Sequence, residues 1–265
     1  MAIKANLSIN GFDMSYARFG SGEKVFVILP GLSAVKVTPN AAAVERAYAP
    51  IAESFTVYLF DRRDNMPAGY KIHDMAEDTA AVMRHLGIEK ACLCGASQGG
   101  MIAMDMAISH PELVSGLVLC SATPYLNDDL KNALETWAEY AKRADSPALN
   151  ADFVRRLYSE KLLEKSGDVL ISAMPTYSEH ELSQFLTAID SFSPFDLRPE
   201  LHRVSCPVFV AGAAHDVVMG PDSSEELAAQ LGCEYYIYPD YAHAVYDEAP
   251  DFTKRIAEQL KTMDL

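Results

Sequence analysis

The sequence predicts an α/β protein: a mostly parallel eight-stranded sheet flanked by helices, with a helical segment inserted between two late strands. Three observations carry this. Short apolar runs rich in β-branched and aromatic residues alternate with segments of helical period, the pattern of strands joined by crossover helices. Several of the runs are apolar at nearly every position, as strands covered on both faces require. The chain has 265 residues, 49% of them apolar. A chain of that size buries about three quarters of its extended surface.

The elements read in order. Residues 3–9 and 12–19 form an antiparallel pair joined at Asn10-Gly11, a hairpin dipeptide. Further strands are expected at Lys24–Leu29, Phe55–Phe60, Ala91–Cys94, Gly116–Cys120, Val208–Ala211 and Glu234–Tyr238. A helix beginning at Asp74 carries Met75, Thr79, Val82, Met83 and Leu86 on one face and stops at Gly87. Another follows Ser97 and ends at Pro111. One starts at Pro221-Asp222-Ser223 with Glu225 and Glu226 in its first turn, and the last runs from Tyr246 to Leu260. From residue 124 to 195 no strand-like run occurs. Helices are expected there over Asp128–Arg143, Ala151–Lys165 and Ser178–Ile189, punctuated by Pro147, Gly167, Pro175 and Pro194. Residues 124–195 therefore form a helical insertion, and 1–123 with 196–265 form the core.

Charge and composition narrow the function. With 22 basic and 37 acidic side chains the net charge is −15, which disfavours nucleic acid and anionic membrane surfaces as partners. The N-terminal residues lack the apolar stretch of a signal peptide and no run of 18 apolar residues occurs, so a cytoplasmic protein is expected. The five cysteines, Cys92, Cys94, Cys120, Cys206 and Cys233, sit mostly in apolar runs and read as reduced thiols, with Cys92 and Cys94 on one strand face. There is no HExxH, no EF-hand loop and no phosphate-cradling glycine pattern, so neither a metal nor another cofactor is expected.

The sharpest chemical signal is Gly95-Ala96-Ser97-Gln98-Gly99, a G-x-S-x-G pattern between an apolar strand and a helix. Such a turn lifts the serine hydroxyl above the sheet, and only small neighbours fit around it. A serine needs a base within hydrogen-bond reach, and that base needs a carboxylate to hold its tautomer. His243 follows the last strand, at the sheet edge where Ser97 is expected. Asp216 follows the strand VFVA at the same edge. His215 is its neighbour and a competing base, although adjacent residues point opposite ways, so only one of the pair enters the site. His73, His85, His110, His180 and His202 read as surface residues.

On these residues the chain resembles the α/β-hydrolase fold family over essentially its full length. The elbow around Ser97, the acid loop Gly212–Asp216 and the segment Ala242-His243 followed by Glu248-Ala249-Pro250 match the family's nucleophile, acid and histidine regions in chain order. The resemblance implies that the insertion is a cap. It also implies an oxyanion hole made by the backbone N–H groups of Leu32 and Gln98. Two departures stand out. Pro30-Gly31 replaces the His-Gly of many members. Asp61-Arg62-Arg63-Asp64 stands where many carry a glycine-rich turn with a serine, and it reads as a structural ion-pair network in preference to a substrate-anion site.

The leading expectation is a serine hydrolase acting on a carboxylic ester of a small or medium molecule, with Ser97 as nucleophile, His243 as base and Asp216 as orienting acid. Cleavage of an amide, a thioester or a carbon–carbon bond stays open, as does a slow-turnover small-ligand receptor of the same fold. An aminopeptidase would need inward carboxylates, for which Glu135, Glu139 and Glu179 are available. Pocket candidates from the insertion are Trp137, Met174, Tyr177 and Phe185. More than half of the net charge falls in residues 196–265, around Asp216 and His243, which favours neutral or cationic acyl groups.

Overall fold

A computed structural model describes residues 1–265. Its strands are β1 (Ile3–Ile9), β2 (Phe12–Gly20), β3 (Lys24–Leu29), β4 (Phe55–Arg63), β5 (Ala91–Ala96), β6 (Val114–Cys120), β7 (Val208–Ala213) and β8 (Glu234–Tyr238). They pair in one sheet in the order β1-β2-β4-β3-β5-β6-β7-β8. β2 runs antiparallel to both β1 and β4, and every other pair is parallel. The hairpin between β1 and β2 turns at Asn10 and Gly11, with φ of 50° and 80°, the geometry an Asn-Gly pair tolerates.

The helices are α1 (Ala41–Ala47), α2 (Ala49–Ala52), α3 (Ile72–His85), α4 (Gln98–Ser109), α5 (Asp128–Lys142), α6 (Ser146–Leu157), α7 (Glu160–Ala173), α8 (Glu179–Asp190), α9 (Ser223–Leu231), α10 (Val245–Glu248) and α11 (Phe252–Leu260). Strand side chains alternate between two cores. Val27, Leu29 and Leu93 face α3, α4 and α9, while Phe26, Ile28, Cys92 and Cys94 face α1, α2 and α11. α4 is buried along almost its whole length, which explains why its sequence is apolar all round. No helix is long and apolar enough to cross a membrane.

Several boundaries differ from the sequence expectation, each for a local reason. The terminal helix breaks into α10 and α11 at Ala249-Pro250, because proline lacks the N–H and clashes with the preceding turn. The helix expected over 151–165 is two helices. Ser159 accepts from the Leu162 N–H at 3.3 Å and so begins α7, while its own N–H donates to Glu248 at 3.0 Å. Pro147 lies in the first turn of α6, where a missing donor costs nothing, and Gly167 lies inside α7. α3 starts at Ile72 because Asp74 reaches back to accept from the Lys71 N–H at 2.7 Å. α1 and α2 correspond to no sequence-based expectation.

α5 to α8 fill the space between β6 and β7 in the chain and sit over the carboxyl edge of the sheet. Asn127 Nδ2 donates to Met219 O at 2.6 Å, and the Ala244 N–H donates to Leu157 O at 2.7 Å. Gln184 both accepts from the Met66 N–H (2.6 Å) and donates to its carbonyl (3.4 Å).

A tight constraint lies beneath the start of α4. A Cβ on Gly99 would sit 2.0 Å from Leu29 O and 2.7 Å from Pro30 O, both backbone atoms that cannot yield. Gly99→Ala is expected to destabilise the fold by about 3 kcal/mol, read as a lowered urea midpoint at unchanged slope.

Candidate active site

The loops after β3, β5, β7 and β8 meet at the carboxyl edge of the sheet, where open parallel sheets bind ligands. Ser97 sits between β5 and α4 with φ 55° and ψ −121°, a conformation that L residues rarely adopt. The surroundings enforce it. The Ser97 N–H donates to Cys120 O at 2.8 Å, extending the sheet pairing, and a Cβ on Gly95 would meet Gly99 O at 2.2 Å. Larger residues at these positions would push α4 away from the strand.

Asp216 is buried in the turn after β7. Its Oδ1 accepts from the N–H groups of Val218 and Met219, each at 2.9 Å. Both carboxylate oxygens face His243 Nδ1, at 3.0 and 2.9 Å. Asp216 is 2% exposed and His243 is 3% exposed, so the pair is shielded from water. An Nδ1–H donated to this carboxylate leaves Nε2 as the free acceptor of the ring. His215 is exposed, as the alternation of strand-end residues requires.

The Leu32 backbone N–H has no acceptor in the protein. Gln98 opens α4, so its N–H has no acceptor within the helix and lies at the positive end of the helix dipole. Gly31 links these groups in space. A Cβ there would lie 3.2 Å from Ser97 Cβ and 3.6 Å from the Tyr246 hydroxyl, and the Tyr246 ring meets His243 edge-on with centroids 6.3 Å apart. Sequence reasoning missed Tyr246. Its spacing of three from His243, at the start of a helix, was the available signal. Burial raises its phenol well above the ordinary value, so it presents an O–H donor at neutral pH.

The other histidines lie elsewhere. His73 Nδ1 pairs with Asp105 at 2.9 Å, His110 Nε2 pairs with Glu77 at 2.7 Å, and His202 bonds the carbonyl of Pro199. The expected ion pairs within Asp61–Asp64 do not form. Asp61 accepts from the backbone of Val37 and Thr38, Asp64 pairs with Lys36 at 2.7 Å, and Arg63 meets Asp78 at 3.4 Å. Arg62 donates instead to the carbonyls of Pro30 (3.0 Å) and Gly31 (2.9 Å). Backbone acceptors replace the carboxylates because β4 delivers Arg62 beneath the loop that follows β3.

A cavity of about 490 Å³ lies beside this loop, between the segment that follows β3, the end of β4 and α8. Ser97 and His243 do not line it. From the helical segment it takes His180, Glu181 and Gln184. Trp137, Met174, Tyr177 and Phe185 do not line it. Trp137 and Phe185 are buried packing residues: the Trp137 indole donates to Asp152 at 2.9 Å and its ring lies 4.7 Å from that of Phe153. Met174 caps the C-terminal end of α7, and Tyr177 packs partly buried against the core, its backbone N–H donating to Ser146 Oγ. Glu135, Glu139 and Glu179 are exposed to solvent.

Residues 24–250 match the model of the alpha/beta hydrolase fold family. The chain is 32% identical over 242 residues to a 2-(acetamidomethylene)succinate hydrolase from Mesorhizobium japonicum, covering 84% of this chain and 82% of that one. It is 22% identical to 3-oxoadipate enol-lactonase 2 from Acinetobacter baylyi, covering 89% and 86%. Among solved structures, the alpha/beta hydrolase MGS-M2 from a Medee basin deep-sea metagenome library superposes with a TM-score of 0.87 at 20% identity, over 98% of each chain.

Gln98 joins this site to the helical segment through Nε2, which donates to Ala188 O and Ser191 Oγ, each at 3.1 Å. Gln98→Leu is expected to cost about 2 kcal/mol. Faster amide hydrogen exchange confined to α8 would be its signature.

Proposed function

The chain belongs to the α/β-hydrolase family, and from that premise we propose that it is a serine hydrolase cleaving a carboxylic ester of a small or medium molecule through an acyl-enzyme on Ser97. The observation that carries this reading is the shielded Asp216–His243 pair at the same sheet edge as a serine held at positive φ. Ser97 Oγ attacks the ester carbonyl carbon while His243 Nε2 takes its proton. Asp216 holds the tautomer and stabilises the imidazolium. The carbonyl oxygen, now negative, is met by the N–H groups of Leu32 and Gln98. The tetrahedral adduct expels the alkoxide, which takes the proton from His243. Water then adds to the acyl carbon with His243 again as base, and the acid leaves with Ser97 restored. Every step uses protein groups and water.

Two observations favour an ester over an aminoacyl amide. Glu135, Glu139 and Glu179 face solvent and supply no carboxylate for an α-amino group. One relative named above is a lactonase, and a lactone is a cyclic ester.

A fluorophosphonate probe is expected to label the protein and to fail on Ser97→Ala; labelling that persists would overturn the assignment. On simple p-nitrophenyl esters, Asp216→Asn should lower kcat by about 10⁴-fold with the fold intact. Tyr246→Phe should lower kcat about 10-fold with KM little changed, as loss of one donor near the developing oxyanion requires.

A further inference from the structure

Chain-wide charge and local chemistry disagree around Arg62. A net charge of −15 argues for neutral or cationic acyl groups, yet the 490 Å³ cavity is walled in part by a guanidinium to which no carboxylate is hydrogen-bonded. Arg62 Nη2 is engaged by the carbonyls of Pro30 and Gly31, whereas Nε is buried with no partner. Nearby carboxylates are otherwise occupied. Asp61 serves the backbone of Val37 and Thr38, Asp64 serves Lys36, and Asp78 accepts from Arg63 and Tyr70. Burial draws the Arg62 guanidinium down to about 10, so it stays charged at neutral pH. Asp61 offsets this burial only through space, with no hydrogen bond to the guanidinium. A buried cation without a hydrogen-bonded counter-ion is costly, and an anion that meets it relieves that cost. At contact distance this outweighs charges farther off than a Debye length, which salt screens.

The position is as informative as the charge. The loop Pro30–Leu32 is a shared wall. On one side Arg62 bonds its carbonyls and Pro30 lines the cavity; on the other Gly31 lies against Ser97. We propose that Arg62 binds a carboxylate carried by the substrate, setting it on the cavity side of this loop while the scissile carbonyl lies at Ser97. This deepens the hydrolase reading and rests on it. Asp61, Asp64 and Glu181 line the same cavity, so the site suits one negative charge and rejects a phosphate dianion.

Glutarate is a suitable probe. By calorimetry at low salt, glutarate is expected to bind Ser97→Ala protein where dimethyl glutarate does not. Arg62→Gln should weaken that binding about 10-fold or more, and Arg62→Lys should weaken it less, since the point charge survives without the planar fork. In the unmodified enzyme, monomethyl glutarate should be hydrolysed with about 10-fold higher kcat/KM than dimethyl glutarate, and Arg62→Gln should bring the ratio close to one. Any loosening of the Pro30–Leu32 loop lowers both rates and cancels in that ratio. The proposal is overturned by glutarate binding no better than its diester, by phosphate binding tighter than glutarate, or by a ratio that Arg62→Gln leaves unchanged. Should Arg62→Gln not fold, Arg62→Lys and the wild-type comparison decide. Glutarate binding to Ser97→Ala protein, with neither ester turned over by the wild type, would sink the hydrolase reading and leave the anion site standing.

Discussion

Two glycine α-carbons set the distance at which α4 crosses the sheet. With side chains at Gly95 and Gly99, the helix would stand off from β5 and from the end of β3, because both Cβ positions fall on backbone atoms. That close crossing bends Ser97 to positive φ and aims the helix N-terminus at the space above it. Asp216 and His243 arrive after later strands, and Leu32 after an earlier one, at the sheet edge where this turn lies. The strain at Ser97 is sustained by the buried length of α4, an apolar rod that no local loop could replace.

Sheet and chemistry were readable from the sequence to different depths. Strands such as Ala91–Ala96 are short, apolar on both faces and bounded by turn residues, so periodicity alone locates them. Ser97, Asp216 and His243 could be placed at one sheet edge because each stands within a few residues of the end of such a strand. What escaped depends on distant partners. The break at Ser159 needs Glu248, 89 residues away, to accept from its backbone. Arg62 looked paired with its sequence neighbours, whereas the strand carries it to carbonyls 31 and 32 residues earlier. Trp137 and Phe185 looked like lining because large apolar residues in an inserted segment suit either role; packing within the segment claimed both.

Charge behaves differently at the two scales. The acidic excess of the last quarter of the chain is spread over helix N-termini and the surface, where water and salt weaken it. Asp216 and Arg62 lie in low-dielectric surroundings, and their environments differ in kind. Asp216 is met by two N–H groups and an imidazole, so its charge is satisfied within the protein. Arg62 hydrogen-bonds only to carbonyl dipoles.

The helical segment leaves and re-enters the sheet at almost the same place. The Leu126 N–H donates to Phe195 O at 3.1 Å and the Leu197 N–H to Pro124 O at 2.8 Å, so the two stems are zipped before the first helix begins. Closure entropy grows only slowly with the length of chain between fixed ends. Lengthening, shortening or exchanging the segment therefore perturbs the sheet little, provided the stems still pair. Such a joint behaves like a socket. The sheet and the residues at its edge can stay constant while the piece plugged into it is replaced wholesale.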